Sequence, residues 1–259
     1  MENSNKTELN IEGKNGYSIG LTEFIPSKLK GIILSLHGFG SSKDSPKTQS
    51  FAEMISPLGI GLVAFNYPCH GFSKAGKDDF TLENCLSDFD TVEEYLRKKY
   101  EKIPIGLFGT SLGGYLILLK LNKIEIPDYF CIILRCPALK MDECFKNNIL
   151  KDPIKDFRKN GYIYAGFSKK IRVPYKFFDE LLKNKLFDIY NKEYPMLIIH
   201  GTKDKISPFI DCVKFIKSKN KKAILEKIEG ADHRMNEPGN IENCFKMAKD
   251  YIIKCIKDI

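Results

Sequence analysis

Three residues in chain order carry the chemistry of this sequence: a serine held between glycines, a later aspartate and a still later histidine. Ser111 sits in Gly109-Thr-Ser-Leu-Gly113, directly after the apolar run Ile105-Gly-Leu-Phe108 and before the helical stretch Leu112–Leu121. Gly-x-Ser-x-Gly between strand and helix is a sharp turn that presents the hydroxyl, with glycines where larger side chains would strike strand and helix. Chance would place roughly 0.08 such pentapeptides in a chain of this composition, and the strand–helix setting adds specificity. The plainer alternative is a tight glycine turn with an incidental serine.

A serine hydroxyl attacks only when a base takes its proton. Of four histidines, His37 and His70 precede Ser111, at the ends of the third and fourth predicted strands. His200 closes the strand Met196–Ile199 and reads as a strand-end packing or turn residue. His233, in Gly230-Ala-Asp-His233, lies between the last strand and the last helix. Partners of a serine in such a turn follow in the order acid, then histidine, which selects His233 as base. For the acid, Asp204 lies in the loop leaving the strand Met196–Ile199. Asp232 adjoins His233, but sequence neighbours rarely aim at one another, so it is expected to support its own loop. Asp211 lies further on, in a predicted helix. The reaction's oxyanion also needs preorganised N–H donors. Leu112, after the nucleophile, and Phe39, in the loop His37-Gly-Phe-Gly40, are expected to supply them.

These residues need a scaffold that brings strand ends together. Glu8–Ile11 and Tyr17–Ile25 read as short strands around the turn residues Gly13, Asn15 and Gly16. Gly31–Leu36, Gly61–Phe65, Ile105–Phe108, Tyr129–Leu134, Met196–Ile199 and Ala223–Ile228 read as further, mostly buried strands. Helices are predicted near Thr48–Ser56, after the N-cap Thr81, over Leu112–Leu121, around Phe209–Lys217 and over Ile241–Lys257. Strands alternating with helices imply a mostly parallel, doubly wound α/β sheet with helices on both faces. The rhythm breaks between Pro137 and about Lys192. The expected organisation is a catalytic domain of residues 1–137 and 193–259, interrupted by a cap of residues 138–192 between the sixth strand and the acid-bearing segment.

Hydrophobic residues make up 43% and charged residues 29% of the 259, enough apolar material for a full core and too ordered a composition for global disorder. No apolar run approaches the ~18 residues of a membrane span, and the polar start lacks a secretory signal, so a cytoplasmic protein without an integral membrane segment is expected. The net charge of +8 comes from scattered lysines with no dense basic block, which gives nucleic-acid binding no support. Eight cysteines show neither C-x-x-C pairs nor metal spacing; they read as reduced thiols, with no disulfide and no metal site expected. Cys131 and Cys136, five apart around a predicted strand end, should start on opposite faces if the strand stays regular.

With these pieces in place, the chain resembles the α/β-hydrolase superfamily over nearly its whole length. The matching motifs are His37–Gly40, Tyr67-Pro-Cys-His-Gly-Phe-Ser73, Gly109–Gly113, His200–Pro208 and Gly230–His233. Within it the chain is most similar to small bacterial feruloyl/cinnamoyl-type serine esterases, which share a cap of some fifty residues at this position. The resemblance implies carboxylic-ester hydrolysis through an acyl-enzyme on Ser111, acting on a small-molecule ester with no metal or organic cofactor. Monoglyceride lipases, lysophospholipases and serine peptidases share these motifs, so they remain alternatives. Aspartate- and cysteine-nucleophile relatives are disfavoured by the serine. A non-catalytic binding protein would need a damaged site, and none is visible. The cap aromatics Phe145, Phe157, Tyr162, Tyr164, Phe167, Tyr175, Phe177, Phe178 and Phe187 are expected mostly to pack the cap, with two or three reaching a ligand.

Overall fold

Alternate side chains of the central strands serve two cores, and that alternation builds the molecule. The computed structural model describes residues 5–150, 153–166 and 170–257. Strands β1 (Asn5–Glu12), β2 (Ser18–Ile25), β3 (Gly31–Leu36), β4 (Ile60–Phe65), β5 (Ile105–Thr110) and β6 (Ile132–Arg135) precede a short pair, β7 (Tyr162–Ala165) and β8 (Ile171–Pro174). Strands β9 (Met196–Gly201) and β10 (Ala223–Ile228) complete the set. The main sheet runs β1-β2-β4-β3-β5-β6-β9-β10. β2 lies antiparallel to both β1 and β4, and all other neighbours are parallel.

Nine helices are described: α1 (Pro46–Ile55), α2 (Leu82–Lys99), α3 (Leu112–Lys123), α4 (Met141–Cys144), α5 (Ile154–Asn160), α6 (Tyr175–Lys183), α7 (Leu186–Ile189), α8 (Phe209–Ser218) and α9 (Asn240–Ile256). Ile33, Leu62, Ile133 and Leu197 face α1 and α9, meeting Phe51, Ile55, Phe245 and Ile252. Their neighbours Ile32, Leu34, Val63, Leu107 and Ile198 face the other way, against α2, α3 and α8. Period-two alternation thus covers both faces with apolar side chains. Helix α2 begins where Thr81 Oγ1 accepts the Asn84 N–H at 3.1 Å, and it buries Leu82, Cys85, Phe89, Val92 and Leu96 on one stripe. No helix among the described residues is long and apolar enough to cross a membrane.

Two local expectations are corrected. Between β6 and β9, where no clear alternation was expected, the chain forms α4, a π-helical turn at Phe145–Ile149, α5, the antiparallel β7–β8 pair, α6 and α7. The period-two signal was short: Tyr162-Ile-Tyr-Ala165 alternates exposed and buried over four residues only. Phe145, Phe157, Phe177 and Phe178 of this segment join the same buried cluster as α2 and α3. Glu180 Oε2 accepts the Leu82 N–H at 2.6 Å, and Tyr115 Oη donates to the Asn184 carbonyl at 2.8 Å. The sixth strand also begins later than Tyr129. Cys131 and Cys136 pack on the same face, toward α1 and α9, because Cys136 adopts φ +45° and ends the alternation at Arg135. None of the eight cysteines is joined in a disulfide.

Candidate active site

Parallel strands deliver their carboxyl ends to one edge of the sheet, where loops are free to vary in chemistry. Ser111 follows β5, His37 follows β3, Asp204 follows β9 and His233 follows β10. Ser111 holds φ 52° and ψ −111°, a conformation that costs a non-glycine residue ~1–3 kcal/mol. The turn is held from three sides. The Ser111 N–H donates to the Arg135 carbonyl at 3.0 Å, and the Ser111 carbonyl accepts from Tyr115 and Ala138 at 3.1 Å each. The glycines are needed for close approach. A Cβ on Gly113 would lie 2.1 Å from the Leu36 carbonyl oxygen, and one on Gly109 would lie 2.6 Å from Ile117 Cδ1.

His233 Nε2 lies 3.0 Å from Ser111 Oγ, and His233 Nδ1 lies 2.7 Å from Asp204 Oδ2. A carboxylate only accepts, so Nδ1–H donates to it and leaves the Nε2 lone pair facing the serine hydroxyl. The other carboxylate oxygen accepts the N–H groups of Ile206 and Ser207 at 2.9 and 2.8 Å. Burial alone would raise the Asp204 pKa. Hydrogen bonds from His200 and His233 and from the Ser207 backbone overcome it and hold the carboxyl well below the usual range. The rival acids are engaged elsewhere: Asp232 Oδ1 accepts the N–H groups of Arg234 and Met235, and Asp211 lies 3.3 Å from Lys140 Nζ.

His200 does more than pack. Its Nε2 lies 3.0 Å from Asp204 Oδ2 and 2.7 Å from the Ser207 carbonyl, with Nδ1 3.0 Å from Cys212 Sγ. It therefore holds the same carboxylate oxygen that His233 contacts. The signal available in the sequence was the i,i+4 spacing of His200 and Asp204 at a strand end. His37 is buried beneath the Phe39 loop, donating from Nδ1 to the Gly38 carbonyl at 2.8 Å. Burial, reinforced by neighbouring His70, pushes its pKa down to about 3 and keeps it neutral. His70 packs 5.2 Å from it, with Nδ1 2.9 Å from the Pro68 carbonyl.

The Phe39 loop lies against Ser111, since a Cβ on Gly38 would sit 3.3 Å from Ser111 Cβ. The N–H groups of Phe39 and Leu112 have no acceptor among the described residues. Leu112 opens α3, where a helix leaves its first N–H groups unpaired. Cys136, Asp204 and His233 form the group of potential metal ligands among the described residues, their ligand atoms within 4.8 Å of one another. Asp204 and His233 are already bonded to each other there, and burial pushes the Cys136 thiol well above its ordinary range.

Above Ser111 opens a cleft of about 570 Å³. On the side of the inserted segment it is lined by Met141, Cys144 and Ile149, with Ile206 nearby. None of the described aromatics of that segment lines it, which corrects the expectation that two or three would reach a ligand; Phe167 lies outside the described residues. The rings pack on each other and on the body instead: Phe177 stacks on Phe80 at 4.3 Å, and Phe145 meets Phe178 at 5.5 Å. The rings that do line the cleft, Phe39, Phe51, Phe108 and Phe245, come from the body.

The profile of the family described as serine aminopeptidase, S33, matches residues 27–174. A Mycoplasma genitalium protein named "Putative esterase/lipase 2" is 24% identical, the alignment covering 95% of this chain and 96% of that protein. A monoglyceride lipase homolog of Monkeypox virus is 25% identical, over 80% of this chain and 83% of its own. Among solved structures, Est1E from Butyrivibrio proteoclasticus with ferulic acid bound superposes with a TM-score of 0.82 at 20% identity, covering 96% of this chain and 99% of Est1E. That likeness shows the α/β-hydrolase fold.

Proposed function

The chain belongs to the serine aminopeptidase S33 family of α/β-hydrolases, and on that premise we propose that it is a serine carboxylesterase for small carboxylic esters, aromatic-acyl esters among them. The observation that carries this reading is the unbroken line Ser111 Oγ, His233 and Asp204 at 3.0 and 2.7 Å, opening into the cleft. In this reading His233 Nε2 takes the Ser111 proton as Oγ attacks the ester carbonyl. Asp204 holds the correct tautomer and stabilises the imidazolium. The N–H groups of Phe39 and Leu112 receive the developing oxyanion. His233 returns the proton to the leaving alcohol, and water then cleaves the acyl-Ser111 by the same route. Residues 138–192 act as the cap that closes the cleft through Met141, Cys144 and Ile149.

The aromatic-acyl preference is supported by the body rings in the cleft and by the ferulate-bound neighbour. A second reading, hydrolysis of monoacylglycerols, is favoured by the viral relative and by the unbranched or aliphatic lining of Met141 and Ile149. The eight cysteines outside any disulfide support work in a reducing, cytoplasmic compartment. The experiment is labelling with a fluorophosphonate probe alongside turnover of 4-nitrophenyl esters. Wild type is expected to be labelled and active, and Ser111→Ala to lose both with an unchanged circular dichroism spectrum. Turnover retained by Ser111→Ala refutes the nucleophile. Matched methyl esters from acetate to octanoate, with cinnamate and ferulate, decide between the readings: a smooth rise with linear chain length favours the lipase.

A further inference from the structure

In the wall of the cleft, where α1 meets the loop after β10, two cations converge on one backbone oxygen. The Arg234 carbonyl accepts from Lys47 Nζ at 2.5 Å and from Arg135 Nη1 at 3.5 Å. Arg135 is only 9% exposed, and its Nε donates to Thr110 Oγ1 at 3.2 Å, one residue before the nucleophile. Neither cation forms an ion pair with a carboxylate among the described residues. The acids nearby are committed. Asp44, in the cleft wall, pairs with Lys43 at 2.7 Å, and Asp232 accepts backbone N–H groups of its own loop. Burial, and then the charge of Arg135, depress the Lys47 pKa, and the charge of Asp232 offsets this only in part. The same cleft is lined by the ring cluster of Phe51 with Phe108 and Phe245, at centroid distances of 4.6 and 4.9 Å.

A buried guanidinium without a counter-charge is an expensive arrangement that an anion from a ligand relieves. A guanidinium fork also matches the geometry of a carboxylate or phosphate. We propose that Arg135 and Lys47 form an oxyanion-binding subsite beside Ser111, and that the favoured substrates are esters carrying a second, anionic group, a carboxylate or a phosphate. The inference rests on the esterase reading above and names its substrate class. Ester hydrolysis itself leaves this group untouched: the anion anchors the substrate while Ser111 attacks the ester carbonyl.

The test compares anionic esters with neutral twins. One pair places the charge on the acyl part, the mono-4-nitrophenyl ester of glutaric acid against its methyl-capped diester. The other places it on the alcohol, 1-butanoylglycerol 3-phosphate against 1-butanoylglycerol, so the two arms separate a carboxylate source from a phosphate source. In wild type, at least one anionic ester is expected to exceed its twin tenfold or more in kcat/KM at low ionic strength, with the advantage shrinking in ~0.5 M salt. Arg135→Gln and Lys47→Met should each collapse that ratio toward one. Because the ratio is internal, a general loss of activity does not imitate the result, and Lys47→Met at the cleft edge decides if Arg135→Gln fails to fold. Glutarate or inorganic phosphate should raise the melting temperature of wild type and not of Lys47→Met, which reads the subsite without turnover. A flat ratio in wild type for both pairs, or a ratio unchanged in Lys47→Met, overturns the subsite. Absence of probe labelling and of neutral-ester turnover overturns the esterase reading instead.

Discussion

Asp204 is the residue on which the site's electrostatics turn, because four hydrogen-bond donors surround a carboxylate that water scarcely reaches. Asp204→Asn keeps the shape but lets the amide donate to His233, favouring the tautomer that no longer accepts from Ser111. A fall of roughly 10⁴-fold in kcat is expected, with the KM of a neutral ester little changed. Steady-state kinetics check this, and a loss confined to KM contradicts the assigned role. A different carboxyl sets the pH dependence of stability. Asp88 is fully buried, and burial raises its pKa to about 7, although Tyr17 Oη donates to both oxygens at 3.1 Å. Between about pH 4 and 7 the folded state therefore binds a proton that the unfolded state has lost, so stability falls as pH rises through that window. Asp88→Asn removes the cost of ionising the group. It should be the more stable protein at pH 8, by an order of magnitude of 1–4 kcal/mol, and lose that advantage near pH 4. Urea unfolding at the two pH values measures it, and an equal shift at both would refute the ionisation argument.

At the scale of elements, the turn from β5 into α3 does the positioning. Helix α3 approaches β3 so closely that Gly113 leaves no room for a methyl group beside the Leu36 carbonyl. Gly113→Ala must push α3 away or bend β3, and both movements displace Ser111. The expected cost is about 1–3 kcal/mol of stability or more, together with a fall in kcat that exceeds any change in KM. Denaturant unfolding and ester kinetics report the two effects separately. Wild-type stability in this variant would mean that the helix has slack which the contact distance denies. A different element, β9, carries His200, which so braces Asp204 from a strand rather than from a loop.

At the scale of the whole molecule, the segment between β6 and β9 shares a core with the body, and its rings pack in that core. Phe178 is 2% exposed and packs 5.5 Å from Phe145 and 6.0 Å from Phe157. Phe178→Ala should lose ~3–5 kcal/mol of stability while leaving the ratio of cinnamate to butyrate ester turnover unchanged. Ile149→Trp, which fills the cleft from the same segment, should do the reverse, sparing stability and reducing kcat/KM most for the longest acyl chains. A substrate ratio that moves with Phe178 and not with Ile149 would return selectivity to the segment's rings.

Much of this was legible in the sequence by itself, for physical reasons that differ between residues. Ser111 could be read because an elbow demands glycines at fixed offsets, and His233 and Asp204 because loops after parallel strands all open at one sheet edge. The alternation of Ile32 with Ile33 and Leu197 with Ile198 announced a sheet covered on both faces, since a side-chain period of two is local to the strand. What lay beyond reading were contacts between distant segments. Only tertiary structure places His200 against Asp204, sets the rings of the inserted segment behind the cleft instead of in it, and turns Cys136 onto the face of Cys131 through one positive φ. It likewise brings Lys47 from α1, Arg135 from β6 and the Arg234 carbonyl from the loop after β10 to a single point. Local spacing determines which side chains share a face of their own element, whereas meeting across elements depends on how those elements pack.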